Sequence, residues 1–273
     1  MTQPVLRFAP SPNGRLHLGH AYSALLNEKL AHELGGRLLL RLEDIDTTRC
    51  TPELVQHCLD DLHWLGLVLE EPVRVQSQHF SDYRAALEKL KIRELVYPCF
   101  CSRSEIAAAS TATDPDGAPI YPGTCRQKNL QHRMHEPHSW RLDMHQALRT
   151  AAGPHRYERF TTGDTITADP TRWGDVILAR KEIPTSYHLS VVVDDALQGV
   201  THIVRGQDLE ASTDLHVLLQ ALLGLPTPLY HHHGLLREAA GEKLSKSKGS
   251  ETLADLRGRG LTAMQVRTMA FAA

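Results

Sequence analysis

The spacing of hydrophobic and polar positions predicts alternating strands and helices at the start of the chain. Residues 5–9 are apolar and β-prone, and the run stops at a proline. Across residues 17–34 apolar side chains recur at helical spacing and end at a Gly-Gly pair. The run RLLLRLED at 37–44 predicts a buried strand with acids at its end, and Thr51-Pro52 opens a second helix. This order predicts an α/β fold with a parallel sheet.

The middle of the chain interrupts this pattern. Residues 99–137 contain TATDPDGAPIYPGTC and show no periodicity, which predicts an irregular insertion. Strand-like runs follow at 139–143 and 174–182, and residues 186–209 restore an apolar α/β rhythm. From Asp208 a further helix is predicted to run to Leu223.

Composition narrows the class of protein. The 273 residues are 41% hydrophobic and 23% charged, as is ordinary for a globular protein. No apolar run is long enough to span a membrane and no signal peptide is apparent, so we expect a cytoplasmic protein without a membrane partner. A net charge of −2 argues against a broadly basic nucleic-acid-binding surface but leaves room for a local patch. No exposed amphipathic stripe is apparent, so a monomer is expected.

Two short motifs are suited to handling phosphate. In APSPNGRLHLGH, at 9–20, His17 and His20 fall on one face of a helix's first turn, where N–H groups and the helix dipole favour anions. Gly19 between them leaves room for a flat ring or a ribose. KLSKS, at 243–247, is rich in lysine and serine, which suits a mobile loop that neutralises a polyphosphate.

Three of the five cysteines suggest a metal site. Cys99, Cys101 and Cys125 supply three soft ligands in the irregular insertion, which is too polar to form its own core. Zinc takes four ligands in a tetrahedral array, and chemistry alone leaves His132, His135 and Asp116 as candidates for the fourth. Such a zinc ion would be structural, because no ligand position is left open for catalysis.

HLGH and KLSKS resemble the two signature motifs of class I aminoacyl-tRNA synthetases. RFAPSPNGRLHLGH is similar to the glutamyl and glutaminyl branch, as are RLEDID at 41–46, SYHLSVVVDD at 186–195 and THIVRGQDL at 201–209. Leucine replaces the usual second residue of both motifs, and Asn13 stands where threonine or serine is commoner. The resemblance implies ATP, with Mg²⁺, as a substrate. It implies catalytic roles for His17, His20 and Lys246, and ATP binding by His17, Gly19, His20, Lys243 and Lys246.

The resemblance also implies a glutamate pocket and a fourth zinc ligand. The ligand would be Tyr121, and the pocket would comprise Arg7, Phe8, Ala9, Pro10, Ser11, Glu43, Tyr187 and Arg205. Glu43 and Arg205 also make independent sense. Each follows a predicted strand, where an acid suits the substrate ammonium and a guanidinium suits a carboxylate. An arginine here favours glutamate over glutamine.

The overall layout resembles the glutamyl-queuosine tRNA(Asp) synthetase family. Only 27 residues follow Lys246 (273 − 246), too few for the anticodon-binding region of a full glutamyl-tRNA synthetase. The resemblance implies activation of L-glutamate without tRNA, followed by transfer to queuosine in the anticodon stem-loop of tRNA(Asp). It divides the chain into the first half of a Rossmann-like catalytic domain (1–98), a zinc-binding insertion (99–137), an acceptor-type insertion with the second catalytic half (138–240), and the lysine loop with a short helical tail (241–273).

Three alternatives remain open at this point. A conventional glutamyl-tRNA synthetase lacking its C-terminal half would charge a 3′ end instead. A non-catalytic regulator that binds tRNA or an amino acid would have no need of HLGH, KLSKS, Glu43 and Arg205 together. A nucleotidyltransferase would share the phosphate motifs but would not need the Glu43 and Arg205 pair.

Overall fold

A computed structural model describes residues 3–236 and 250–272 of the chain. It contains two compact units. The first comprises the described residues of Met1–Gln78, Gly199–Glu210 and Pro228–Ala273, and the second comprises His79–Gln198 and Ala211–Thr227. Among the helices described, none is long and apolar enough to cross a membrane.

The helices and strands alternate along much of the chain. In order they are β1 (Val5–Phe8), α1 (Leu18–Glu33), β2 (Arg37–Leu42), α2 (Pro52–Trp64), β3 (Glu70–Val75), α3 (Phe80–Ile92), β4 (Val96–Cys99), α4 (Arg103–Ala109), β5 (Ser139–Leu142), α5 (Met144–Thr150), β6 (Arg156–Glu158), β7 (Thr165–Thr167), β8 (Ile177–Ala179), α6 (Tyr187–Leu197), β9 (His202–Gly206), α7 (Ser212–Leu223), β10 (Leu229–His233), α8 (Leu253–Gly258) and α9 (Ala263–Ala272).

The first unit has the predicted parallel α/β arrangement. Strands β1, β2 and β3 pair in that order, all parallel, and β9 pairs in parallel with β10. The turn into β2 requires glycine at position 36, because a Cβ there would lie 2.6 Å from the carbonyl oxygen of Pro4. That oxygen accepts a hydrogen bond from the Arg37 N–H at 2.8 Å, which aligns β2 beside β1. The predicted fold class is therefore confirmed.

One apolar core holds the first unit together. Buried leucines of β2 and α2 pack with Leu16 and with alanines of α1, and residues of α8 and α9 complete the cluster. Asn27, fully buried on α1, donates through Nδ2 to the carbonyl oxygen of Val204 at 3.2 Å, so this helix is also tied to β9. Helix α9, late in the chain, therefore packs against α1, near its beginning.

The second unit combines a small antiparallel sheet with helices. Strands β4, β5 and β8 pair in that order, and β6 pairs with β7. Helix α3 meets α6 through Tyr83, whose hydroxyl donates to both oxygens of the buried Asp194 carboxylate at 3.0 and 2.9 Å. A buried carboxylate needs such donors to offset its lost hydration.

Two segments differ from the sequence prediction. The helix expected from Asp208 begins only at Ser212, because residues Gln207–Leu209 form a 3₁₀ turn first. The stretch predicted to be irregular contains α4, a seven-residue helix with no buried side chain and therefore no apolar periodicity. Its one visible signal is the capping box formed by Ser102 and Glu105.

Candidate active site and metal cluster

His17 and His20 cap the first turn of α1 reciprocally. The Gly19 N–H donates to Nδ1 of His17 at 3.1 Å, and the His17 N–H donates to Nδ1 of His20 at 3.2 Å. This is a capping box built from two imidazoles, with ring centroids 3.8 Å apart.

The caps determine which nitrogen of each ring carries the proton. Since Nδ1 accepts a backbone hydrogen bond in both rings, the neutral tautomer of each carries its hydrogen on Nε2. The sequence predicted that N–H groups of this turn would be left for phosphate. In the structure two of these N–H groups, those of His17 and Gly19, donate to the rings instead. The Nε2–H groups are further donors suited to a phosphate.

The start of α1 also contacts the segment that follows the KLSKS motif. His17 forms an isolated antiparallel bridge with Thr252, and the Leu253 N–H donates to the carbonyl oxygen of Leu16 at 2.8 Å. Thr252 also forms a capping box with Asp255 at the start of α8. Lys243 and Lys246, predicted to bind ATP, lie outside the described residues.

Glu43 lies immediately beyond the carboxyl end of β2, as predicted, and it is paired with Arg41. Nη2 and Nε of Arg41 donate to Glu43 Oε1 at 3.1 and 3.3 Å. The Arg41 side chain is fully buried and Glu43 is 11% exposed. This pairing orients the carboxylate, a group suited to binding a substrate ammonium. Arg41 was not predicted as part of the site, although an arginine inside a buried strand indicates a nearby acid.

The predicted pocket residues of β1 and the turn after it lie in the same unit as Glu43. The Glu43 N–H donates to the carbonyl oxygen of Pro10 at 3.0 Å, which joins this turn to the end of β2. The group consists of Arg7, Phe8, Ala9, Pro10 and Ser11, of which Arg7, Phe8 and Pro10 are buried. Arg205 is buried in β9, one residue before that strand's end.

Tyr187 belongs to the second unit, where it is the first residue of α6. Its ring packs edge-on against the rings of His188 and His216, with centroids 5.4 and 5.6 Å away. His188 Nδ1 and His216 Nε2 lie 3.3 Å apart. The aromatic packing fixes the Tyr187 ring at the start of its helix.

The structure brings the three predicted cysteine ligands together, with Tyr121 beside them. The sulfur atoms of Cys99, Cys101 and Cys125 all lie within 4.8 Å of one another, and those of Cys101 and Cys125 are 3.6 Å apart. Zinc–sulfur bonds of about 2.3 Å in a tetrahedron place two sulfurs about 3.8 Å apart. The Tyr121 hydroxyl is 3.4 Å from the Cys101 sulfur. Among the described residues, no histidine, aspartate or glutamate joins this cluster.

The candidate ligand groups differ in the direction of their pKa shifts. Burial raises the pKa of the Cys101 thiol to about 11, and burial also raises the pKa of the Tyr121 hydroxyl. Burial opposes ionisation of Cys125 too, but hydrogen bonds led by that of the Tyr121 hydroxyl bring the pKa of this thiol below its usual value. A metal ion would have to displace protons from Cys101 and Tyr121 on binding.

Asp175, which was not predicted as a site residue, connects the elements that surround the cysteine cluster. Its carboxylate accepts from Nε and Nη2 of Arg126 at 2.7 and 2.6 Å, from the Tyr97 hydroxyl, and from the Met144 N–H at 3.0 Å. Its carbonyl oxygen accepts from Nη1 of Arg141 at 2.7 Å. Through its carboxylate Asp175 connects β4, α5 and the residue after Cys125, and through its carbonyl oxygen it also connects β5.

Arg141 connects these elements to the fourth candidate ligand. Its guanidinium carbon lies 3.9 Å from the centre of the Tyr121 ring. A cation at this distance is attracted electrostatically to the face of the ring, and this contact restricts the orientation of the ring plane. Tyr121 is therefore held both by its ring face and by its hydroxyl, which accepts from the Cys125 N–H at 2.9 Å.

Comparison with known proteins agrees with this architecture. The sequence matches the family described as tRNA synthetases class I (E and Q), catalytic domain, over residues 4–271. It is 46% identical over 278 residues to the glutamyl-Q tRNA(Asp) synthetase of Rhodobacter capsulatus, covering 97% of this chain and 99% of that relative. It is 40% identical over 277 residues to the protein of the same name from Symbiobacterium thermophilum, covering 93% and 81%.

A solved structure adds agreement in three dimensions. The glutamate-tRNA synthetase of Elizabethkingia anophelis superposes with a TM-score of 0.73 at 25% identity, covering 91% of this chain. This chain spans about half the length of that synthetase, 53% of it. Because the family match runs over nearly the whole sequence, the chain belongs to the class I tRNA synthetases, in the family of E and Q catalytic domains.

Proposed function

We propose that this chain activates L-glutamate with ATP in the absence of tRNA and transfers it to queuosine in the anticodon loop of tRNA(Asp). The observation that carries the proposal is the near end-to-end match to a glutamyl-Q tRNA(Asp) synthetase, 46% identical over 97% of this chain and 99% of the relative. The glutamate-specific part is supported by a buried arginine near the end of β9 and by a carboxylate after β2 that is paired with the buried Arg41. A cytoplasmic location is part of the same proposal.

In the first step the glutamate α-carboxylate attacks the α-phosphorus of ATP, giving glutamyl-adenylate and pyrophosphate. The Nε2–H groups of His17 and His20 donate to the nucleotide phosphates as charge develops on them. Glu43 binds the substrate ammonium and Arg205 the side-chain carboxylate. Lys246 neutralises the departing pyrophosphate, and Mg²⁺ enters with the nucleotide.

In the second step a hydroxyl of the queuosine cyclopentene-diol attacks the carbonyl carbon of the adenylate. The ester forms as the bond between that carbon and the phosphate oxygen breaks; AMP leaves with the electron pair, and the proton of the attacking hydroxyl passes to the departing phosphate or to water. Holding the two reactants in line is the protein's main contribution to this step. The predicted pocket residues Arg7, Phe8, Ala9, Pro10 and Ser11 keep the glutamate in place for the transfer. Tyr187 keeps the role in glutamate binding that the sequence resemblance implies.

The thiols of Cys99, Cys101 and Cys125 and the hydroxyl of Tyr121 are proposed to hold a structural zinc ion. The three sulfurs have the soft character and the spacing that zinc prefers, and Tyr121 is the oxygen donor placed beside them. Bound zinc would cross-link β4 to the loop that carries Tyr121 and Cys125.

The first experiment measures glutamate-dependent exchange of pyrophosphate into ATP, with and without tRNA. The proposal predicts exchange without tRNA, and no exchange when glutamine replaces glutamate. Exchange that requires tRNA would favour a conventional glutamyl-tRNA synthetase. The absence of exchange under both conditions would leave the non-catalytic regulator as the better account.

Replacing Arg205 separates recognition of glutamate from binding of ATP. We expect Arg205→Ala to lower kcat/KM for glutamate by about 10²–10³-fold, since truncating one member of a desolvated charge pair costs several kcal/mol. The ATP dissociation constant, measured by calorimetry, should stay within about threefold of the unmodified value because the phosphate donors are untouched. A matching collapse of ATP affinity would contradict the role given to Arg205.

Removing one thiol tests the metal site. Cys125→Ala is expected to release zinc, measured by mass spectrometry of the purified protein, and to lower the thermal midpoint by about 5–10 °C. Cys58→Ala, which truncates a cysteine buried in α2, is the control and should retain zinc. Tyr121→Phe should bind zinc more weakly than the unmodified chain. Unchanged zinc affinity in that variant would direct attention to His132, His135 or Asp116.

A further inference from the structure

Three consecutive histidines on β10, His231 to His233, have no role in the proposed chemistry so far. Alternation along a strand sends His231 and His233 to one face and His232 to the other. His233 faces α1, where its Nε2 lies 3.1 Å from the Ser23 hydroxyl and its ring meets the Tyr22 ring edge-on at 5.0 Å. The adjacent histidines of β10 therefore have different surroundings.

His232 lies against Arg205. The two residues are paired in the parallel register of β9 and β10, and the Arg205 Nε–H donates to His232 Nε2 at 3.4 Å. The Tyr230 ring, two residues earlier on the same face, stacks nearly parallel to the His232 ring at 5.9 Å. It also lies 5.6 Å from the Arg205 guanidinium carbon. The histidine side chain is 2% exposed.

The far side of the imidazole faces an acid. Because Nε2 accepts from Arg205, the neutral ring carries its proton on Nδ1, and Nδ1 lies 4.0 Å from Glu210 Oε1. Gly206 and a short 3₁₀ turn over Gln207–Leu209 lead from β9 to Glu210. A line of groups thus runs from Arg205 through His232 to Glu210.

We propose that His232 is a positioning residue that sets the specificity of the glutamate site by holding the Arg205 guanidinium through its Nε. This inference rests on the proposed function, in which Arg205 binds the substrate side-chain carboxylate. A guanidinium is planar, so a partner at Nε and a neighbouring tyrosine ring together restrict its plane. The two Nη groups are then presented to the carboxylate in a fixed orientation, which is what bidentate recognition requires.

A positioning role for His232 has different consequences from a role in core packing alone. A positioning residue acts on the affinity for glutamate, because a guanidinium that is not preoriented must be ordered on binding. It leaves the affinity for ATP unchanged, because the phosphate donors lie on α1. A residue needed only for the fold would change both affinities together with the stability of the protein.

The test compares His232→Leu, His232→Gln and His232→Asn with the unmodified chain in glutamate-dependent pyrophosphate exchange. Leucine offers no acceptor, asparagine is too short to reach Arg205 Nε, and the glutamine amide oxygen can replace Nε2 as acceptor. We expect the leucine and asparagine variants to raise KM for glutamate about tenfold, the effect of losing one charge-assisted hydrogen bond. The glutamine variant should stay within about threefold of the unmodified chain.

Selectivity and ATP binding provide the second readout. In the leucine and asparagine variants, preference for glutamate over glutamine should fall by the same factor of about ten, with kcat and KM for ATP changed by less than about twofold. His231→Leu, one residue away on the opposite face, is the matched control and should keep the unmodified KM for glutamate. Should the leucine variant fail to fold, the asparagine and glutamine pair makes the same comparison.

The outcomes separate this inference from the proposed function. If the unmodified chain shows no glutamate-dependent exchange, the proposed function fails first. If it does, and the leucine and asparagine variants keep the unmodified KM and selectivity, the role of His232 is overturned. A parallel loss of glutamate and ATP affinity, unrelieved by glutamine, would also overturn it, because that pattern indicates a structural role.

Discussion

The reciprocal capping of α1 by His17 and His20 is the constraint on which the rest of the candidate site depends. Two backbone hydrogen bonds fix both ring positions and both neutral tautomers, so each Nε2 becomes a donor. His17 also forms a bridge to Thr252, and the carbonyl oxygen of Leu16 accepts the N–H of Leu253, so the start of α1 contacts the segment that leads into α8. The same two rings thus cap the helix through Nδ1 and, in the proposed function, bind phosphate through Nε2.

The charged side chains at the strand ends of the first unit are likewise positioned by neighbouring side chains. Glu43 follows β2 beside a fully buried Arg41, and Arg205 lies near the end of β9 beside His232. Each candidate substrate-binding side chain thus contacts a partner that restricts its orientation. In the second unit Asp175 has the corresponding role for the cysteine cluster.

Much of this was predictable because local patterns determine it. Apolar spacing predicted β1, α1, β2 and α2, and motif chemistry predicted that the three cysteines would meet. The supporting residues were not predicted. Asp175 and His232 act through contacts set by long-range packing and by strand register, which no periodicity in the sequence encodes. Arg41 contacts Glu43 two residues along the chain, and only its burial in β2 depends on tertiary packing. Helix α4 escaped prediction because it buries no side chain.

The most direct test of the account is where the glutamate is attached. Labelled glutamate, ATP and the protein would be incubated with tRNA(Asp) containing queuosine, and the tRNA would then be cleaved into its anticodon-loop and 3′-terminal fragments. The account predicts that the label stays with the anticodon-loop fragment and is absent when the tRNA lacks queuosine. Label on the 3′-terminal adenosine would contradict it and would identify the chain as a conventional charging enzyme.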